Sequence, residues 1–441
     1  MKKKIAVINL GCPKNQVDSE VISGMLAGHY TLTYRPDEAN IIIVNTCGFI
    51  EEAKAESIET ICEMIQLKAA GNCESVFVTG CLAQRYGEEL LKEIPELDAV
   101  LGDGDLERIP LEITNKLNQK IHTSKKQQDF IYSHTMPRIR MGPRYSTYVK
   151  IAEGCDNYCS YCAIPMIKGK YRSRPIESIV EETKKLAAEG VKEIILVAQD
   201  TTRFGIDRYG ELFLPVLLKE LVKIDNIRWI RLMYCYPDVF TDELISVISR
   251  EPKICKYVDL PLQHADNDIL KKMNRRNTAE EAEILISKLR NAIPGIFIRS
   301  TFITGFPGET EEHFQHMLDF IQRIRLDRLG VFAYSQEENT PAGIMEDQIP
   351  EEVKEERKNR MMVLQAELVA EFQQRRVGQT IPVILEEKLS NDNWVGRTEG
   401  DAPEIDGQIY IKVHKNYCPG DILDVRILQA DSYDMRGEGP E

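Results

Sequence analysis

A surplus of positive charge is the first thing this sequence lacks. Its 56 lysines and arginines stand against 70 aspartates and glutamates, a net charge of −14. That balance argues against a protein whose main business is holding a phosphate backbone. Long apolar runs are missing as well. Nothing approaches the roughly 20 residues that a membrane span needs, and Ile5 to Leu10, broken by Asn9 behind Lys2, Lys3 and Lys4, is too short for a signal-peptide core. The expected compartment is therefore the cytoplasm, with no membrane partner. Thiols stay reduced there, so clustered cysteines point to metal or catalysis rather than to disulfides. What is present suits a soluble globular protein: 43% hydrophobic and 29% charged residues in a chain of 441, long enough for two to four domains. The acidic excess is uneven. Val377 to Glu441 holds 13 acidic and six basic residues, so half of the net charge sits in the last 65 positions.

Three apolar runs, Ile5 to Leu10, Ile41 to Val44 and Ser75 to Val78, alternate with helical patterns and predict buried parallel strands. Positions 119–143 mix Lys, Gln, Ser, Pro and Gly without periodicity and read as a linker. Six further strands are expected at Tyr148 to Ala152, Glu193 to Ala198, Trp229 to Tyr234, Tyr257 to Leu260, Ile296 to Phe302 and Arg328 to Tyr334. With helices between them, such as Ser178 to Glu189 and Glu280 to Asn291, they predict a partial parallel barrel whose site lies at the strands' carboxyl ends. Glu351 to Arg376 reads as one long charged helix. Four more strands, Ile381 to Glu387, Trp394 to Thr398, Gln408 to Val413 and Ile422 to Gln429, predict a small antiparallel β-barrel.

Eleven cysteines are present, and six of them fall into two patterns. Cys155, Cys159 and Cys162 form C-x3-C-x2-C directly after the first strand of the expected barrel. A structural zinc site would need a fourth ligand, and the nearest histidines, His134 and His264, are far away in sequence. Three thiolates on a four-iron cluster leave one iron open to a small molecule. Cys12, Cys47 and Cys81 form the second pattern, each at the end of a predicted strand. Successive parallel strands present their carboxyl ends at one sheet edge, so three residues 35 and 34 positions apart can converge there. Buried core cysteines are the plainer explanation of any one of them. Cys62, Cys73, Cys235, Cys255 and Cys418 match neither pattern and are expected to be core or surface thiols.

The C-x3-C-x2-C loop resembles that of radical S-adenosylmethionine enzymes, and the whole chain resembles their methylthiotransferase family. The resemblance implies an α/β protein of three domains: an N-terminal methylthiotransferase domain (1–118) and, after a linker (119–143), a radical barrel with its following helix (144–375). A TRAM-type barrel (376–441) would complete it. It implies two 4Fe-4S clusters, one on Cys155, Cys159 and Cys162 and a second on Cys12, Cys47 and Cys81, with S-adenosylmethionine as methyl donor and radical source. Cofactor contacts would come from Tyr161, where the family carries an aromatic near the adenine, and from Gly305, Pro307, Gly308 and Glu309 in the turn closing the fifth barrel strand. A packing tyrosine and an ordinary strand-to-helix turn would look the same. No catalytic residue is identified beyond the cluster ligands.

Within the family, the segments Leu10 to Asn15, Asp259 to Ala265, Ser300 to Glu311 and Asp401 to Gly407 resemble the branch that modifies a protein rather than a transfer RNA. That implies methylthiolation of an aspartate β-carbon in small-subunit ribosomal protein twelve, free or on the ribosome, with an electron donor as a further partner and no direct transfer RNA substrate. The acidic C-terminal region agrees, since it would repel RNA and attract a basic protein. The competing functions are a transfer RNA adenosine methylthiotransferase, which calls for a basic C-terminal face, and a non-catalytic iron-sulfur protein that binds ribosomes. Basic residues cluster at Arg138, Arg140 and Arg144 and at Lys168, Lys170, Arg172 and Arg174; the second group follows the radical-cluster loop and would either face the site's mouth, the cofactor carboxylate or the substrate aspartate, or pair with the barrel's own acids.

Overall fold

The three apolar runs at the amino terminus become the parallel strands Lys4–Asn9, Ile41–Thr46 and Ser75–Gly80 of the computed structural model. The model describes residues 2–114, 121–122, 130–390 and 392–440. Ile41–Thr46 is buried along its whole length, which is why it reads as an unbroken apolar run. Thr31–Leu32 adds to one edge of the sheet, and Ala99–Val100 and Ile121–His122 add to the other. The sequence pattern missed these three because two residues carry no periodicity.

The central strands Ser146–Lys150, Glu193–Val197, Trp229–Leu232, Ile254–Asp259, Phe297–Thr304 and Arg328–Ala333 lie side by side in chain order, all parallel. Helices such as Ile176–Ala188 and Ala279–Ala292 make the crossovers. The first and last strands do not pair, so the barrel is open along one side. Helix Glu351–Gln374 packs against the last two strands. Among the described residues no helix is long and apolar enough to cross a membrane.

Thr380–Lys388, Asn393–Thr398, Ile409–Lys412, Ile422–Ala430 and Met435–Glu438 close into a five-stranded barrel. The last of these was not anticipated, and it pairs parallel with Ile409–Lys412, so the barrel is antiparallel with one exception. The loop between its second and third strands docks on the amino-terminal end of the central sheet. There Asp401 pairs with Arg328 at 2.5 Å and Asp406 with Arg299 at 2.7 Å, while Arg397 grips Glu193. Gly400 lies so close to Phe297 that a Cβ would sit 2.3 Å from the ring. With that end covered, chemistry is left to the carboxyl ends of the strands.

This docking changes what the acidic C-terminal region means. Asp401 and Asp406 are spent on the central sheet, Asp421 pairs with Lys192 at 2.8 Å, and Glu399 accepts from the Lys256 amide at 3.1 Å. Among the described residues, the exposed acids Glu387, Asp392, Glu404, Asp424, Asp431 and Glu438 are nearly matched in number by the exposed bases Lys388, Lys412, Lys415, Arg426 and Arg436. The outer face is thus close to neutral, and the charge argument for a basic partner does not survive on that face. A formal sum over a segment cannot tell interface acids from surface acids.

Of the expected linker, residues 119–120 and 123–129 lie outside the described residues. The remainder is packed rather than loose. Arg138 bridges Glu20 at 2.5 Å and Glu182 at 2.7 Å, tying helix Pro13–Leu26 to helix Ile176–Ala188. Other members of the two basic groups are held in the same way: Arg140 by Glu189, Lys168 by Asp18 and Arg174 by Glu182. For these residues, pairing with the protein's own acids is what the structure shows.

Candidate active site

The loop carrying Cys155, Cys159 and Cys162 leaves the first central strand at its carboxyl end. Gly154 makes the turn at φ +79, where a Cβ would lie 2.1 Å from the Lys170 carbonyl, so only glycine fits. The Cys155 amide donates to Gly169 O at 3.1 Å and the Cys162 amide to Cys159 O at 3.0 Å. Ser160 pins the loop's centre: its amide donates to Met273 O at 3.0 Å and its hydroxyl to Lys272 O at 2.8 Å. One bond within the loop and anchors to Gly169, Met273 and Lys272 thus set the spacing of the three thiols. Burial pushes the Cys155 thiol up to about 12 and raises Cys162 further, helped by the neighbouring Cys159. Thiolates in this site need positive charge beside them, which a metal cluster supplies. His134 bonds Ser178, and His264 bonds Glu309 and the Asp266 amide, so neither histidine is free to complete a zinc site.

Two groups that sequence reasoning missed lie against Cys159. The Arg275 guanidinium is 3.9 Å from its Sγ, and the Tyr236 hydroxyl is 3.8 Å from the same atom. Arg275 stacks on the Tyr236 ring at 3.9 Å, which fixes the cation's direction. Neither residue belongs to a motif, and no signal in the sequence marks them.

Cys12, Cys47 and Cys81 follow three strands of the N-terminal sheet. Gly11 lies against Cys47, its would-be Cβ 3.0 Å from that Sγ, and the Cys12 sulfur is near enough to raise the Cys47 thiol beyond what burial does. Cys81 Sγ is 3.7 Å from Asn15 Oδ1, while Asn15 Nδ2 donates to Thr46 O at 3.0 Å and Leu10 O at 3.2 Å. Asn15 thereby ties all three strand ends together. Asn45 supports it from below, donating to Asn15 O at 2.9 Å and Ser19 Oγ at 2.8 Å. All eleven cysteines are free; Cys62 and Cys418 are exposed, and Cys73, Cys235 and Cys255 are buried.

The two sets face the same end of the central sheet. Lys14, two residues after Cys12, rests over the Tyr234 ring at 3.4 Å, and Tyr236 touches Cys159. Cys81 packs with Ala163 and Ile167, just beyond Cys162. Arg85 and Lys54 of the N-terminal domain both pair with the buried Glu337, at 2.8 and 3.2 Å, which fastens that domain across the mouth.

Gly305 and Gly308 both adopt left-handed backbone, φ 73 and 76, around buried Pro307 at the end of the fifth central strand. Glu309 lies behind this turn. Its carboxylate accepts from the Gly305 amide at 3.0 Å and from Arg357 at 2.7 Å, and it meets His264 Nε2 at 3.2 Å. It braces the turn. Tyr161 packs against the cluster of Ile269, Met273 and Phe306.

Comparison with known proteins agrees with this architecture. Residues 4–102 match the uncharacterized protein family UPF0004, 149–321 the radical SAM superfamily and 377–439 the TRAM domain. The radical S-adenosylmethionine methyltransferase TsrM of Kitasatospora setae, at 14% identity and a TM-score of 0.55, shares the fold over 88% of this chain and 79% of its own. The ribosomal protein uS12 methylthiotransferase RimO of Heliobacterium modesticaldum is 51% identical over 99% of this chain and 95% of its own. That of Desulfitobacterium hafniense is 55% identical over 99% of both chains. With identity at that level from end to end, the chain belongs to the RimO family of radical S-adenosylmethionine methylthiotransferases.

Proposed function

We propose that this enzyme methylthiolates the β-carbon of an aspartate in the small-subunit ribosomal protein uS12, in the cytoplasm, with a reducing partner supplying electrons. The observation that carries the reading is the placement of two disulfide-free cysteine triads at one end of the central sheet, in a chain whose relatives are named for uS12. We assign Cys155, Cys159 and Cys162 to one 4Fe-4S cluster and Cys12, Cys47 and Cys81 to the other. When bound, these clusters with S-adenosylmethionine supply the radical and the methylated sulfur.

The chain's own residues do the rest. The pinned loop around Ser160 holds the first triad at a fixed spacing, and Arg275 sets a cation against Cys159. The Gly305–Gly308 turn offers backbone to the adenosine, with Tyr161 beside it, and Glu309 holds the turn in place from behind. Asn15 keeps the second triad converged. Arg85, Lys54 and Glu337 hold the N-terminal domain over the mouth. The division at 119–143 and at 375–376 would separate the three working parts.

The test is an anaerobic reaction of the reconstituted enzyme with S-adenosylmethionine, a reductant, and uS12 or unmodified transfer RNA in parallel. Mass spectrometry should show one methylthio group gained on the protein aspartate. Gain on the RNA would keep the chemistry and overturn the substrate.

A further inference from the structure

Five lysines of the described residues are buried: Lys14, Lys54, Lys150, Lys168 and Lys354. Four of them have a carboxylate within reach, Lys54 with Glu337, Lys150 with Asp18, Lys168 with Asp18 and Lys354 with Glu351. Lys14 is the exception. It is 8% exposed and enters no ion pair with a carboxylate within 4.0 Å among the described residues; its electrostatic neighbours are Tyr234, Cys12 and, from farther off, Glu153. The Tyr234 ring beneath it, 3.4 Å from Nζ, attracts the cation without neutralising it. An ammonium withdrawn from water without a carboxylate in contact is costly, and the fold supplies that contact at the other four buried lysines.

The position of Lys14 says what is missing. It lies in the first turn of the 14-residue helix Pro13–Leu26, whose free backbone N–H groups favour an anion. Cys12 caps that helix, and Cys12 and Tyr234 are both partly open to solvent at the mouth. A cation, a helix amino terminus and a thiol of the second triad thus converge on one accessible point. The ligand this suits is a carboxylate.

We propose that Lys14 is a specificity-determining residue, which receives the carboxylate of the substrate aspartate together with the first turn of helix Pro13–Leu26. The proposal rests on the uS12 reading above. The β-carbon is bonded directly to that carboxylate, so anchoring one fixes the other beside Cys12. An adenine base carries no such group and would leave Lys14 unpaired. The methionine carboxylate of S-adenosylmethionine has the same chemistry, and the experiment separates the two sources.

The full-length enzyme carrying both clusters is tested anaerobically for binding of uS12 with Asp or Asn at its methylthiolated position. The wild type is expected to prefer the Asp form by tenfold or more, the scale of one charge-assisted pair. Lys14→Arg should keep that preference. Lys14→Met should bring the two forms within twofold while binding the Asn form as the wild type does, which also reports an intact site. Equal binding of both forms by the wild type overturns the proposal without reference to any variant. So does a Lys14→Met enzyme that keeps the preference and loses affinity for S-adenosylmethionine. Methylthiolation of uS12 by the wild type, read in the same samples, shows separately whether the underlying reading stands.

Discussion

The two cysteine triads solve one problem in opposite ways. Cys155, Cys159 and Cys162 occupy eight consecutive residues on a single loop, which is held by one bond of its own and by anchors to Gly169, Met273 and Lys272. Cys12, Cys47 and Cys81 span 70 residues and meet only because three parallel strands stop at the same edge. A local site tolerates damage elsewhere in the fold. A site assembled from strand ends depends on every contact that keeps those ends in register.

The sharpest way to break the comparison is to remove one thiol from each triad. Cys159→Ala should reduce 5′-deoxyadenosine formation to background. Cys47→Ala should preserve that cleavage and stop methylthio transfer, and equal loss of cleavage in both would show that the triads do not have separate roles.

The next effect is acid sensitivity at the covered end of the central sheet. Burial opposes the charge on Glu193, but Arg397 and Arg231 outweigh it and hold the carboxyl down to about 2. A carboxyl held below its unfolded value contributes stability above that value, about 4.3, and loses it as the pH falls towards 2. Roughly 3 kcal/mol should therefore disappear across that window, by order of magnitude. Denaturant midpoints from pH 5 to pH 2 would show it, and Glu193→Gln should flatten the profile.

Asn15 and Ser160 sharpen the contrast between the triads themselves. Asn15→Ala leaves the part-buried Leu10 and buried Thr46 carbonyls without this donor and should cost about 1–3 kcal/mol, with iron falling from about eight to about four per chain. Ser160→Ala removes one side-chain bond while the loop's backbone bonds persist, so it should cost about 1 kcal/mol and keep the full iron content. Iron analysis and denaturation of the two variants side by side decide it.

The smallest expected effect is at Gly308. Alanine there must adopt φ 76 and press its Cβ 2.6 Å from Lys272 Nζ, a flexible end that can move. The backbone cost is about 1–2 kcal/mol. The KM for S-adenosylmethionine should rise several-fold with kcat nearly unchanged.

Much of this protein was legible before its structure. The central strands fall within a few residues of their expected places because buried parallel strands are continuous apolar runs bounded by turns. The C-x3-C-x2-C loop was legible because its three cysteines are neighbours in sequence. The strand-end triad was legible only as a repeated placement. The two-residue strands and Met435–Glu438 were not, because their pairing comes from neighbours rather than from their own pattern. Tyr236, Arg275 and Asn15 were invisible for the same reason.

The sequence by itself determined the α/β alternation, the two triads and the family, since these depend on residue type, spacing and length. Only the tertiary structure decided where the charges go. It spends several C-terminal acids on the central sheet, pairs most of the buried cations, and sets Lys14 near Cys12 over the Tyr234 ring, with no carboxylate in contact among the described residues. Whether a charge faces solvent or a partner depends on what folds against it, and contacts between residues far apart in the chain leave no local trace.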